Sequence, residues 1–116
     1  GRRMHHEVLN LYDVEVYDLN NDIYYLRQFG YECSRVYFSM GFQVVFAAHK
    51  EEAKRYHIHF AVSSINFYNG RKFHTTLADM KERQRIFNEI LYKYQMQAKG
   101  AITPLYAVDS GMPLSL

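Results

Sequence analysis

At 116 residues and 13.8 kDa the chain is long enough for one domain with a real core, and its 48% hydrophobic and 16% aromatic content excludes a disordered protein. No apolar run nears the ~20 residues needed to cross a bilayer, and the single cysteine, Cys33, allows no internal disulfide, which fits a cytoplasmic, reducing setting. A formal net charge of +2 is too small to signal nucleic acid by itself, so a phosphate-binding surface must come from local clusters of lysine and arginine.

In chain order, MHHEVLNL reads as a strand with His5, Glu7 and Leu9 on one face and His6, Val8 and Asn10 on the other. It starts almost at residue 1 with no preceding turn, so the expectation is a missing upstream segment and an exposed edge able to pair with a second copy of the chain. DVEVYD reads as an acidic link. The run NNDIYYLRQFGYECSRVYFSMG then carries Ile23, Leu26, Cys33, Val36, Tyr37 and Met40 at helical spacing. Asn20 or Asn21 is placed to cap that helix, Gly30 to break it and Gly41 to end it. Cys33 falls on the apolar stripe and reads as a core residue.

FQVVFAA and HIHFAVSS read as two strands, joined by the polar stretch Lys50 to Arg55. Asn69-Gly70 is the strongest turn signal in the chain and makes INFY and RKFH a hairpin or extended return. Thr75 or Thr76 caps a long helix with Asp79 in its first turn, an apolar stripe of Leu77, Met80, Phe87, Ile90, Leu91 and Tyr94, and an end near Gly100. The tail from Ala101 holds both prolines and reads as a loosely ordered end. The sum is an α+β domain over residues 1–100, an antiparallel sheet with helices on one or both faces, followed by a tail over 101–116.

The chemistry concentrates in AAHKEEAKRYHIHFAVSS. In a strand His57 and His59 share one face, and antiparallel pairing with the preceding strand brings His49 back near His57. Three imidazoles at one point of the central strands, with no fourth protein ligand in the pattern, would leave a divalent ion open positions, as a catalytic site requires. The competing reading is that each histidine is an ordinary hydrogen-bonded residue. His5 or His6, on the neighbouring strand, can reach the same place by alternation, and we favour His6. Arg2 with Arg3, Lys54 with Arg55, and Arg71 with Lys72 are the local basic clusters, each equally readable as a solvated loop. The 11 tyrosines can stack on bases, although packing accounts for most of them.

Taken in this order, MHHEVLNL, GFQVVFAAH, HIHFAVSS and INFYNGRKFH resemble the relaxase or mobilisation-nuclease family, the single-strand DNA nickases that start plasmid and conjugative-element transfer. The resemblance runs from Met4 to about Tyr94. It implies that His49, His57 and His59 are a metal triad for Mn or Mg, with Zn, Co or Ni also acceptable to imidazole. Glu51 becomes a carboxylate that tunes or orients the site, and His6 a phosphate-binding or supporting residue. Arg3, Lys54, Arg55, Arg71 and Lys72 would meet DNA phosphates. Single-stranded origin-of-transfer DNA, accessory relaxosome proteins and a coupling protein are the implied partners.

The chain departs from the family in two places. Ser63 stands where the family favours asparagine, and the nucleophilic tyrosine, which in the family precedes the strand represented by MHHEVLNL, is not among these residues. Tyr12 and Tyr56 are the tyrosines nearest in sequence to the histidines, and packing is the better account of both. Three other readings stay open: a metal- and DNA-binding remnant that does not nick, an HxH replication-initiator nuclease with a downstream tyrosine such as Tyr92 or Tyr94, and a structural protein whose histidines are incidental.

Overall fold

A computed structural model describes residues 4–12, 14–16, 18–52, 55–94, 96–98 and 105–108. Among these the fold is α+β, with β1 (His5–Asn10), β2 (Val14–Val16), α1 (Asp22–Ser39), β3 (Val44–Glu52), β4 (Arg55–Val62), α2 (Leu77–Leu91), β5 (Met96–Ala98) and β6 (Leu105–Val108). The main sheet has the order β3-β4-β1-β6 with every neighbouring pair antiparallel, and β2 pairs with β5 apart from it.

Strict alternation in β4 sorts the two faces. Tyr56, Ile58, Phe60 and Val62 are buried on one side, and His57, His59 and Ala61 point to the other. Both helices cover the first side: Tyr37 of α1, Phe60 of β4 and Phe87 of α2 form a ring cluster with centroids 5.2, 6.0 and 5.6 Å apart. Leu9, Leu26, Phe29, Cys33, Ile58 and Leu91 complete this core, each large side chain contributing roughly 1.5–3 kcal/mol by leaving water. The helices therefore occupy one face of the sheet, and the histidine pair lies on the opposite one.

A charged cluster lies inside the same core. Glu7 is 0% exposed and Arg83 only 4%. Arg83 donates to both Glu7 carboxylate oxygens, from Nε at 3.1 Å and Nη2 at 2.5 Å, and also to Thr75 Oγ1 at 2.8 Å. The Tyr37 hydroxyl donates to Glu7 Oε1 at 2.5 Å, and His5 Nε2 lies 2.7 Å from Oε2. Burial opposes ionisation of Glu7, but the hydrogen bonds from His5 and Arg83 outweigh it and hold the carboxyl below its usual 4.5.

Several sequence expectations are corrected. Gly30 does not break α1, which runs unbroken through it. A Cβ there would stand 2.7 Å from the Phe46 ring, so glycine is present because the helix lies directly on β3. Neither Asn20 nor Asn21 caps α1 with its side chain. Asp22 anchors that end, its Oδ2 accepting from Lys50 Nζ at 2.6 Å and from the Tyr56 hydroxyl at 2.7 Å. Gly41 does end the helix, at φ +103°.

DVEVYD contains a strand, β2, and is more than a link. The Asn69-Gly70 turn forms with Gly70 at φ +73°, yet the flanking segments share a single bridge, Ile65 with Lys72. Thr76 and Asp79 form the expected capping box, but α2 ends at Leu91, ahead of the 3-10 turn Tyr92–Tyr94 and β5, well short of Gly100. Leu77 is 69% exposed, whereas Arg83 takes a buried place on the inward face. The tail contributes β6, whose pairing with β1 leaves β1 interior. The exposed edge expected of β1, and self-association through it, lose their basis, because the outer strands of the described sheet are β3 and β6.

Candidate metal centre

Antiparallel register does what the sequence spacing requires. His49 of β3 is the direct partner of His57 in β4, and Ala47 faces His59 one pleat further along. The His49 and His57 rings stack at 4.9 Å with 6° between planes, and the His59 ring stands 4.8 Å from His57 and 5.1 Å from His49. One ligand atom from each of the three lies within 4.8 Å of the others. β4, which carries His57 and His59, is an interior strand of the described sheet, and His49 comes from β3 at its edge.

The ring nitrogens of the cluster are buried. His49 Nε2, His57 Nδ1 and His59 Nδ1 are buried without a hydrogen-bond partner, and so is His6 Nδ1. Buried polar atoms in folded proteins nearly always find partners, so four orphaned imidazole nitrogens on one sheet face form a donor set in want of a ligand. Two of the imidazoles, His57 and His59, are also disfavoured in the charged form. Burial, then the neighbouring His57 and His49, push His59 down to about 4, and burial, with His49 adding to it, pushes His57 down against the opposing pull of Glu51. Neutral imidazole with a free lone pair is the form that ligates metal.

The supporting residues divide by face. His6, opposite Ala61 in β1, lies on the histidine face near enough for its charge to act on His59. His5 lies on the helix side, bound to Glu7 and stacked on Phe73 at 4.4 Å, so of the two only His6 shares the face of the cluster. Glu51, half exposed, places Oε1 3.6 Å from His57 Nδ1 and accepts the Tyr12 hydroxyl on Oε2 at 3.2 Å. The Tyr12 ring meets His57 edge-on at 6.4 Å, and the Arg55 guanidinium lies over Tyr12 at 4.3 Å. Arg55 therefore stands at the rim of the cluster.

Sequence reasoning missed the closeness of Tyr12. The signal is in the register: Asn10 pairs with His57, and Leu11 N donates to Tyr56 O at 3.0 Å, so the chain leaves β1 directly beside His57. Tyr56 itself is buried with its hydroxyl on Asp22. Ser63 bonds within its own turn, donating to Ile65 O at 3.1 Å and accepting from Ile65 N at 3.3 Å. Arg71 and Lys72 are exposed on the turn that follows the end of β4 remote from His57. Arg3 and Lys54 lie outside the described residues.

No curated protein and no solved structure matches the chain. A family model for the MobA/VirD2-like nuclease domain of relaxases does match it, over residues 1–96. That span takes in β1, the histidine strands and both helices, so the chain belongs to the relaxase family, as a nuclease domain of the MobA/VirD2-like kind.

Proposed function

We propose that the domain is the metal-dependent core of a relaxase that nicks and rejoins single-stranded DNA at an origin of transfer, in plasmid or conjugative-element mobilisation. The observation that carries this reading is the convergence of His49, His57 and His59, each with a buried ring nitrogen that makes no hydrogen bond, on the sheet face opposite the helices. A divalent ion held by them, Mn or Mg, with Zn, Co or Ni also acceptable to imidazole, would supply Lewis acidity toward a phosphate oxygen.

The chain's own residues do the rest. Glu51 places its negative charge beside His57, 3.6 Å from Nδ1, and tunes the site electrostatically. His6 binds the scissile phosphate or supports His59. Arg55 at the rim, Arg71 and Lys72 on the turn, and Arg3 and Lys54 meet backbone phosphates, which sets affinity and register. The reaction forms a tyrosine–5′-phosphate bond as the bond to the 3′-oxygen breaks, leaving a 3′-hydroxyl that can later reverse the step.

In this reading the nucleophile is none of Tyr12, Tyr56 and Tyr94. Tyr56 is buried on Asp22, and the Tyr12 hydroxyl is engaged by Glu51. The replication-initiator reading is disfavoured because the Tyr94 hydroxyl is bonded to Glu32 of α1, on the helix side of the sheet. Accessory relaxosome proteins and a coupling protein belong to this proposal, as does a cytoplasmic setting; among the described residues no helix is long and apolar enough to cross a membrane.

The test incubates the chain with labelled single-stranded origin DNA with Mn²⁺ or with chelator, and resolves the products under denaturing conditions. The expected result is Mn²⁺-stimulated DNA binding that is lost in His57→Ala plus His59→Ala, without a covalent adduct. Binding indifferent to metal and to the substitutions would overturn the metal-dependent core. An adduct abolished by Tyr12→Phe would move the nucleophile into this chain.

A further inference from the structure

We infer that a groove beside the histidine face receives a nucleobase of the same DNA strand, within a few nucleotides of the phosphate held at the histidines. The inference rests on the reading of that face as the DNA site, and it assigns a base-binding role to residues that the metal chemistry leaves unused. The groove has a volume of about 560 Å³ and is lined by Met4, Phe38, Gln43, Val45, Ser63 and Ile65 among others. That volume lies within the ~300–1,000 Å³ of small-molecule clefts, and the lining is apolar with a few polar groups, as a base-sized ligand needs.

Continuity with the histidines comes from the strand register. His49 pairs with His57, Ala47 with His59 and Val45 with Ala61, and all six project from the same face. At about 3.4 Å per residue the Val45 row stands roughly 14 Å along the strands from the His49 row. Between them β3 and β4 present only Ala47 and His59 on this face, with the small Ala61 beside Val45, all three partly exposed, so no large apolar side chain of these two strands separates the triad from the groove. His6 lies opposite Ala61 on this same path.

The groove mouth has the composition of a single-strand stacking surface. Val45 is 65% exposed, Phe38 53% and Tyr68 77%. Phe38 and Phe67 rings lie 5.0 Å apart and Phe67 and Tyr68 rings 4.4 Å apart, which makes a run of exposed aromatic faces. Exposed Lys72 is bridged to Ile65 in the groove wall, with exposed Arg71 next to it. Exposed rings beside cations suit a polyanion carrying flat bases, the combination that single-strand binders use. A purely apolar peptide would leave both cations unused.

The test is a fluorescence anisotropy titration of the whole chain, with Mn²⁺ present, using a labelled 20-nucleotide mixed-sequence single strand and the same backbone carrying abasic sites throughout. Phe38→Ala and Val45→Ser are compared with the wild type; both positions are more than half exposed, so both variants fold, which circular dichroism checks. The expected result is an approximately tenfold loss of affinity for the intact strand in each variant, the scale of one lost base contact, with the abasic strand bound alike by all three proteins. Mn²⁺ binding, measured by calorimetry, stays at the wild-type level in both variants.

Variants that bind the intact strand as the wild type does overturn the groove, as does a wild type that binds no single strand. If His57→Ala plus His59→Ala weakens binding while the groove variants do not, the groove falls and the metal reading stands. The converse pattern supports the groove and removes the metal reading. Variants that change only self-association, read by sedimentation, would assign the groove to a second copy of the chain and overturn the inference.

Discussion

Replacing Arg83 with alanine tests the core beneath the site. The guanidinium makes two hydrogen bonds to Glu7 and one to Thr75, and both charged groups are buried. Without it Glu7 keeps the Tyr37 hydroxyl and His5 but loses its permanent counter-charge in a site closed to water. Breaking a buried pair in this way costs about 3–5 kcal/mol, a large part of the ~5–15 kcal/mol by which such domains are stable. With a urea slope near 1.5 kcal/mol/M, the unfolding midpoint of Arg83→Ala falls by about 2–3 M. Glu7→Gln combined with Arg83→Met removes both charges and keeps most of the volume, so the double variant is more stable than the single one. The pH dependence has a definite sign. Glu7 is held below its usual 4.5, so its contribution is complete above that value and is lost as pH falls through it toward the lower folded value. The wild-type midpoint therefore drops more between pH 7 and pH 4 than that of Glu7→Gln. A midpoint for Arg83→Ala within about 0.5 M of wild type would refute this reasoning.

Two further substitutions probe the elements that position the site. Gly30→Ala gains about 1 kcal/mol of helix propensity but drives a methyl to 2.7 Å from the Phe46 ring, an overpacking cost of about 1–3 kcal/mol; the melting temperature falls by a few degrees and recovers with Phe46→Leu, whereas a rise in the single variant would contradict the close approach. Thr76→Ala removes the hydroxyl that accepts from Asp79 N at 3.1 Å and costs about 1 kcal/mol in urea unfolding, while Thr76→Asn costs much less.

The parts legible in the sequence are those written at short range. A period of two in MHHEVLNL and HIHFAVSS sorts Glu7 from His6 and Phe60 from His59 without knowledge of the fold, and the spacing from His49 to His57 closes a hairpin. The Thr76 and Asp79 capping box is equally local. What was missed depends on partners distant in the chain. Gly30 reads as a helix breaker until Phe46 is seen against it, and the burial of Arg83 comes from Glu7, 76 residues away. LYAV carries no strand signal of its own and becomes β6 only because β1 offers an edge. Tyr12 joins the site through the pairing of Asn10 with His57, which no local pattern announces.

The central claim is that His49, His57 and His59 form a functioning metal site, and calorimetric titration of Mn²⁺ into the wild type and into His57→Ala plus His59→Ala tests it most directly, with the fold of each verified by circular dichroism. The account predicts saturable binding of one ion per wild-type chain and none in the folded double variant. A folded wild type that takes up no ion, or a double variant that binds as the wild type does, would contradict it.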